Sequence, residues 1–291
     1  MFLANKKWIF LIILSLVWGS SFILMKKALI GLTPIQLGAL RILISGIFIF
    51  LIGFYKLKSI SRAEWKWIII SGFLGTFFPA FLFALAITEI DSSVASILNS
   101  LTPLNTILLG FAVFKIVSTR KQITGVVLGF FGTSLLIGAG AQLNPHQNYL
   151  YAGLVLVATI MYALNINIIK KYLQKVNALA IAIGHFTAVM LPAFVVLMFS
   201  GFFTDEVLQQ PQIKESLIYV TILAVFCTAL AKVMFNKLVQ ISTPVFASSV
   251  TYLIPVVALF WGIMDGESFG ALQAFAATLI FVGVYFANRR N

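Results

Sequence analysis

Along this chain, apolar stretches of about 20 residues alternate with short polar breaks, the spacing of helices that cross a lipid bilayer. The breaks "GLTP", "KLKSISRAEWK", "TEIDSS", "VSTRK", "QLNPHQN", "LQKVN", "DEVLQQPQIKES" and "DGES" carry turn and charged residues. They predict helices over 8–29, 34–55, 66–88, 92–115, 121–139, 149–171, 177–200, 216–238, 243–264 and 268–288. The strict alternation of a lipid-facing strand is absent, so a β-barrel is not expected. The opening "MFLANKKWIFLIILSLVWGSS" has the basic and small residues of a cleaved signal, but "FILM" prolongs its apolar run. We read it as an uncleaved first helix.

Composition sharpens this into an all-α integral membrane protein. Hydrophobic residues make up 61% of the 291, charged residues only 10%, and mean hydropathy is +1.05. A soluble domain needs more polar surface than that. On a soluble protein the net charge of +12 would suggest a nucleic-acid partner, but here the basic residues gather at helix ends and none is expected. If the N-terminus is cytoplasmic, Lys6, Lys7, Lys56, Lys58, Lys170, Lys171, Lys237, Arg289 and Arg290 fall on the inner side. Glu89, Asp91, Asp205, Asp265 and Glu267 then fall outside. This bias predicts a multi-pass protein of the inner (plasma) membrane with both termini cytoplasmic. Lys26 and Lys27, at the outer end of helix 1, break the rule, and Arg41 and Lys232 lie inside spans.

The two halves resemble each other. Trp18 matches Tyr162, the Lys26–Lys27 pair matches Lys170–Lys171, and Arg41 falls on His185, all 144 positions apart. Further on, "ASILNSLTP" (95–103) aligns with "ASSVTYLIP" (247–255), and Thr76 with Thr228, at an offset of 152. Five helices per half is an odd number, so the second half enters the membrane with opposite polarity. The expected units are 1–145 and 146–291, an inverted pair of the kind found in secondary transporters.

The residues "WGSSF", "PIQLGALR", "ALAITEIDSSVASILNSLTPL" and "KLVQISTPVFASSVTYLIPVVALFWG" resemble the EamA type of the drug/metabolite transporter superfamily. The resemblance runs over essentially the whole chain, in two copies. It implies a central cavity formed mainly by helices 1, 3, 4, 6, 8 and 9, with helices 5 and 10 more peripheral. It also implies transport of amino acids or other small metabolites.

Candidate contacts follow from the polar positions. Ser96, Asn99, Thr102 and Thr106 form one stripe on helix 4, beside a carbonyl freed by Pro103. Ser248, Thr251, Tyr252 and Pro255 repeat the device on helix 9. Irregular backbone is tolerated in lipid where it lines a cavity, so we read both stripes as cavity wall rather than plain interhelical bonding. Trp18, Ser21 and Tyr162 would wall the cavity, and Asn165 offers donors and an acceptor. Asn165 and Asn167 point about 200° apart, so at most one faces it. Lys232 would hold a substrate carboxylate. Arg41 and His185 are read as structural or gating. Lys26 or Lys27 is expected to face the outer mouth of the cavity. Gly125 and Gly129 are read as internal close packing, and the protein as a monomer or weak homodimer.

The acidic residues are informative by their positions. All eight lie in loops or near helix ends, whereas small multidrug relatives carry an intramembrane glutamate in helix 1. Here Ser20 or Ser21 stands in that region. A zwitterion or an anion is therefore the expected substrate. No H-E-x-x-H, G-x-S-x-G or P-loop is present, so neither enzyme activity, ATP-driven transport nor a cofactor is expected. With one cysteine, Cys227, and two histidines, no metal site is expected either. The function expected is a carrier exporting amino acids or related small metabolites by alternating access. The alternatives are uptake or exchange of a nucleotide-like or sulfonium metabolite, and a non-transporting scaffold or sensor without a cavity.

Overall fold

The computed structural model describes residues 2–115, 119–141, 148–265 and 271–288. Glu267, Arg289 and Arg290, which carried part of the charge argument, lie outside the described residues. So do parts of the breaks "VSTRK", "QLNPHQN" and "DGES". All described regular structure is helical. In chain order the long helices are α1 (Phe2–Ala28), α2 (Pro34–Gly53) and α3 (Arg62–Ile87). There follow α4 (Ser92–Ala112), α5 (Arg120–Ala141) and α6 (Ala152–Tyr172). The last four are α7 (Ala178–Phe199), α8 (Ile213–Ile241), α9 (Pro244–Met264) and α10 (Ala271–Asn288). Among the described residues, eight segments (in α1–α4 and α6–α9) are long and apolar enough to cross a membrane.

Helix starts follow from local chemistry. Thr33 caps α2 by accepting from Gln36 N at 3.3 Å, Gln36 Oε1 returns the bond to Thr33 N at 3.0 Å, and Pro34 needs no donor there. Ser61 and Glu64 build the same box on α3. Asn177 caps α7 and Thr243 caps α9.

The burial pattern is that of a protein in lipid. Large apolar side chains face outward, Leu51 at 80% exposure and Phe199 at 88%, while Ser96, Asn167, His185 and Asn236 are fully buried. In water the outward apolar surface would be a penalty; in hydrocarbon the polar groups are the ones that must be enclosed. α5 packs closely against α10, since a methyl group on Gly283 would sit 2.6 Å from Gly129 N and 2.8 Å from Gly125 O. These glycines serve internal packing. α1 meets α9 as tightly, because a methyl group on Gly19 would lie 2.4 Å from Val257 Cβ.

Two lysine pairs tie helix ends together. Lys26 and Lys27, in the last turn of α1, bind opposite oxygens of Asp265 just beyond α9, at 2.9 and 2.8 Å. In the last turn of α6, Lys171 donates to Phe114 O beyond α4 at 3.3 Å. Its neighbour Lys170 donates to Ser242 O between α8 and α9 at 2.6 Å.

Candidate functional site

α3 and α8 each contain one π-turn, at Phe73–Phe77 and at Val225–Leu230. A π-turn interrupts the regular ladder and leaves carbonyls available to side chains. Gly75 O accepts from Lys232 Nζ at 2.7 Å, and Cys227 O accepts from Trp18 Nε1 at 2.9 Å. Gly75 and Cys227 are 152 positions apart, so the two interruptions match in register. The glycine also makes room: a Cβ at Gly75 would sit 2.4 Å from the amide carbon of Asn165 on α6.

α4 and α9 are broken too. α4 passes through a 3-10 turn at Asn99–Leu101 before Pro103. α9 is interrupted at Ser249 before Pro255. Each proline lacks the N–H that would bind the carbonyl four residues earlier. Asn99 O is recovered by the backbone N–H and the hydroxyl of Thr102, and Thr251 O by a hydroxyl from α4. Thr102 Oγ1 donates to Asn99 O at 2.7 Å, and Ser100 Oγ on α4 donates to Thr251 O on α9 at 2.8 Å.

These irregular segments surround a cavity of about 100 Å³. Of the residues predicted to contact substrate, Trp18, Ser21, Asn99, Tyr162, Asn165, Lys232, Ser248 and Thr251 line it. Phe22, Met25, Phe83 and Phe235 supply apolar wall, and no Asp or Glu among the described residues lines it. Lys232 is 6% exposed and held by Gly75 O. Asn165 Oδ1 and Thr76 Oγ1, both buried, have no hydrogen-bond partner.

Several predicted residues lie elsewhere. Thr102 is spent on the carbonyl freed by Pro103 and does not line the cavity. Tyr252 is turned away toward α5, where its ring covers Gly129 and its hydroxyl reaches Val126 O at 3.5 Å. Asn167 donates to Thr106 O at 3.1 Å and leaves the cavity to Asn165, as the angle between them requires. Lys26 and Lys27 are drawn to Asp265 and are not cavity residues. Pro103 and Pro255 act through the breaks they impose. His185 sits in the α3–α7 seam, its Nε2 2.6 Å from Ser71 Oγ and its Nδ1 buried without a partner.

Arg41 is the main departure. The sequence reading kept α2 out of the wall, yet Arg41 and Ile42 line the cavity. Arg41 Nε donates to Thr228 Oγ1 at 2.7 Å, and Nη1 lies 3.6 Å from Met25 Sδ. The π-turn residues Gly75, Thr76, Cys227 and Thr228 were missed as wall residues. The signals available were the Thr76–Thr228 correspondence and Pro79, which frees Gly75 O.

Outside this molecule, the family model described as EamA-like transporter family matches residues 6–138 and again 150–289. A Chlamydia muridarum protein named S-adenosylmethionine/S-adenosylhomocysteine transporter is 24% identical, over 94% of this chain and 89% of that protein. The Escherichia coli K12 protein named uncharacterized inner membrane transporter YedA is 24% identical over the same shares. Protein PecM of Dickeya dadantii is 27% identical over 94% of this chain and 92% of its own. A solved crystal structure superposes with a TM-score of 0.74 at 17% identity, covering 98% of this chain and 96% of that one, which speaks to the fold.

Proposed function

The chain belongs to the EamA-like transporter family and is a membrane transporter; from that premise we propose that it exports amino acids or related small metabolites by alternating access. The reading includes a ten-helix architecture of two inverted five-helix repeats, 1–145 and 146–291, with both termini on the cytoplasmic side of the inner membrane. Two copies of the family match, one in each half, support the repeat.

The observation that carries the proposal is the pairing of wall residues across the halves. Trp18 with Tyr162, Ser21 with Asn165, Gly75 with Cys227, Thr76 with Thr228, and Asn99 with Thr251 all stand at the two repeat offsets and all line one cavity. A site built from both halves is where rocking of one against the other changes access. Lys232 holds the carboxylate, Trp18 and Tyr162 wall the substrate, and Asn99, Asn165, Ser248 and Thr251 make polar contacts. The lysine pairs act as gates. In the proposed topology Lys26 and Lys27 clasp Asp265 at the outer end, and Lys170 and Lys171 hold carbonyls at the inner end. Purified protein in liposomes, tested against amino acids and small metabolites, is expected to show saturable flux. A complete lack of flux across the panel defeats the proposal.

A second reading, uptake or exchange of a nucleotide-like or sulfonium metabolite, draws on the name of the Chlamydia relative. The cavity weighs against it in this conformation. At about 100 Å³ it is smaller than the 150 Å³ that holds benzene in an engineered protein core, so an adenosyl group requires it to widen. Two cationic wall residues also repel a sulfonium. Competition binding of amino acids against S-adenosyl compounds separates the readings. A scaffold without a cavity fits neither the family nor the geometry.

A further inference from the structure

We propose that Arg41 is a second contact for the substrate's anionic group, and that the preferred substrate is a small organic acid of net negative charge rather than a neutral zwitterion. This rests on reading the central cavity as the substrate site, and it narrows the substrate class of that site.

A purely structural arginine at membrane depth satisfies its guanidinium on backbone carbonyls or a carboxylate, or snorkels to the headgroups. Arg41 does none of these among the described residues. Its Nε is bound to Thr228 Oγ1, and Nη1 has only the Met25 sulfur, a weak acceptor. The guanidinium has five N–H donors, and the others have no protein acceptor among the described residues. The part-buried side chain lines the cavity.

Its orientation is built. The π-turn lets Thr228 Oγ1 donate to Leu223 O, five residues back, at 3.0 Å. That spends the hydroxyl's one proton, so only lone pairs are left to face Arg41. Thr228 thereby fixes the guanidinium plane through Nε. The planar fork is suited to two parallel bonds to a carboxylate.

Charge completes the argument. Arg41 and Lys232 line the same small cavity, with no carboxylate among the described residues of its wall. Two cations enclosed without a counter-charge are unfavourable in a low-dielectric interior, and an entering anion supplies what is missing. A zwitterion brings its own ammonium into that field and forfeits much of the gain. Asn165 Oδ1, buried without a donor, takes a hydroxyl from the substrate as readily as an amine. The apolar faces of Phe22, Phe83 and Phe235 receive the carbon body.

The test uses purified full-length protein and matched probes: alanine against lactate, and serine against glycerate. Ligand-induced thermal shift and liposome flux are both read. The wild type is expected to bind each hydroxy acid about tenfold or more tightly than its amino acid, the scale of one charge-assisted bond. Arg41→Gln is expected to raise KM for the hydroxy acids by a similar factor with a smaller change in maximal rate. Arg41→Lys restores part of the affinity, because it keeps the charge and loses the fork. Thr228→Val keeps Arg41 and the fold but releases the guanidinium, and is expected to raise the same KM. Preference for the amino acids in the wild type overturns the inference and leaves the carrier intact. So does an Arg41→Gln protein that loses thermal stability while keeping the same discrimination. No shift and no flux with any probe overturns the reading of the cavity itself.

Discussion

Lys232 sits mid-span at 6% exposure, where an unsupported ammonium is expensive. The carbonyl of Gly75 at 2.7 Å compensates part of that cost, and it is available because it lies in the π-turn and Pro79, four residues on, has no N–H to bind it. The residue is thus held in place before any substrate arrives. Replacing it by Met keeps the stem and removes the charge and the donor. Lys232→Met is expected to weaken binding of carboxylate substrates by about tenfold to a hundredfold, the range for losing a hydrogen bond to a charged group. Its melting temperature is expected to hold or rise, since an enclosed charge has been removed. Isothermal titration against a hit from the ligand panel, alongside a melting curve, checks both halves. A variant that binds as tightly as the wild type rules out Lys232 as the carboxylate anchor. Tyr252 behaves oppositely. Its ring is fully buried against Gly129, outside the cavity. Tyr252→Ala is expected to lower stability by about 3–5 kcal/mol, as large aromatic deletions do, without changing the KM of the protein that folds.

At the scale of elements, the helices were legible because each apolar run ends in its own stop and start chemistry. Thr33 with Pro34 and Asn177 mark helix starts that the sequence reading placed within a residue, whereas the Ser61–Glu64 box starts α3 at Arg62, four residues before the expected 66. The breaks at Pro103 and Pro255 were legible for the same reason, since a missing N–H is a local fact. The π-turns were not. A π-turn as such has no mark in "FLGTF" or "VFCTAL", but the carbonyl exposed in α3 does: Pro79 lacks the N–H that would bind Gly75 O, four residues earlier. Arg41 stayed out of the predicted wall for a related reason. Its placement depends on Thr228, 187 positions away, and on the π-turn that aims that hydroxyl. The Ser100 bond shows what such long-range satisfaction is worth. It caps the Thr251 carbonyl freed by Pro255 and joins α4 to α9. Ser100→Ala leaves a buried acceptor unpaired and is expected to lower stability by about 1–3 kcal/mol. Ser100→Ala combined with Pro255→Ala is expected to recover much of this, because the α9 backbone then supplies the donor itself. Melting curves of the two variants and the double decide it; additive losses contradict the account.

For the molecule as a whole, the two lysine pairs face the same task with different partners. The pair ending α6 binds neutral carbonyls, and the pair ending α1 binds Asp265. The second clasp is an ion pair whose strength depends on ionisation of the partner. Hydrogen bonds from Lys27 and Lys26 hold the Asp265 carboxyl below its ordinary value. A depressed carboxylate contributes fully above its unfolded pKa, about 3.9. It loses that contribution as pH falls through the lower, folded value. The clasp is consequently constant from pH 5 to 8 and opens only in stronger acid. It is also modest, because the lysine side chains are 42% and 36% exposed and screened by salt. Asp265→Asn is expected to shift the balance of conformations toward opening at that end by up to about 1 kcal/mol, roughly fivefold in population. Salt is expected to mimic the variant in the wild type. Spin labels placed at the ends of α1 and α9 report the opening as a longer inter-label distance, at pH 7 in low and high salt. A distance distribution unchanged by both the substitution and the salt would show that Lys26 and Lys27 anchor the helix end and gate nothing.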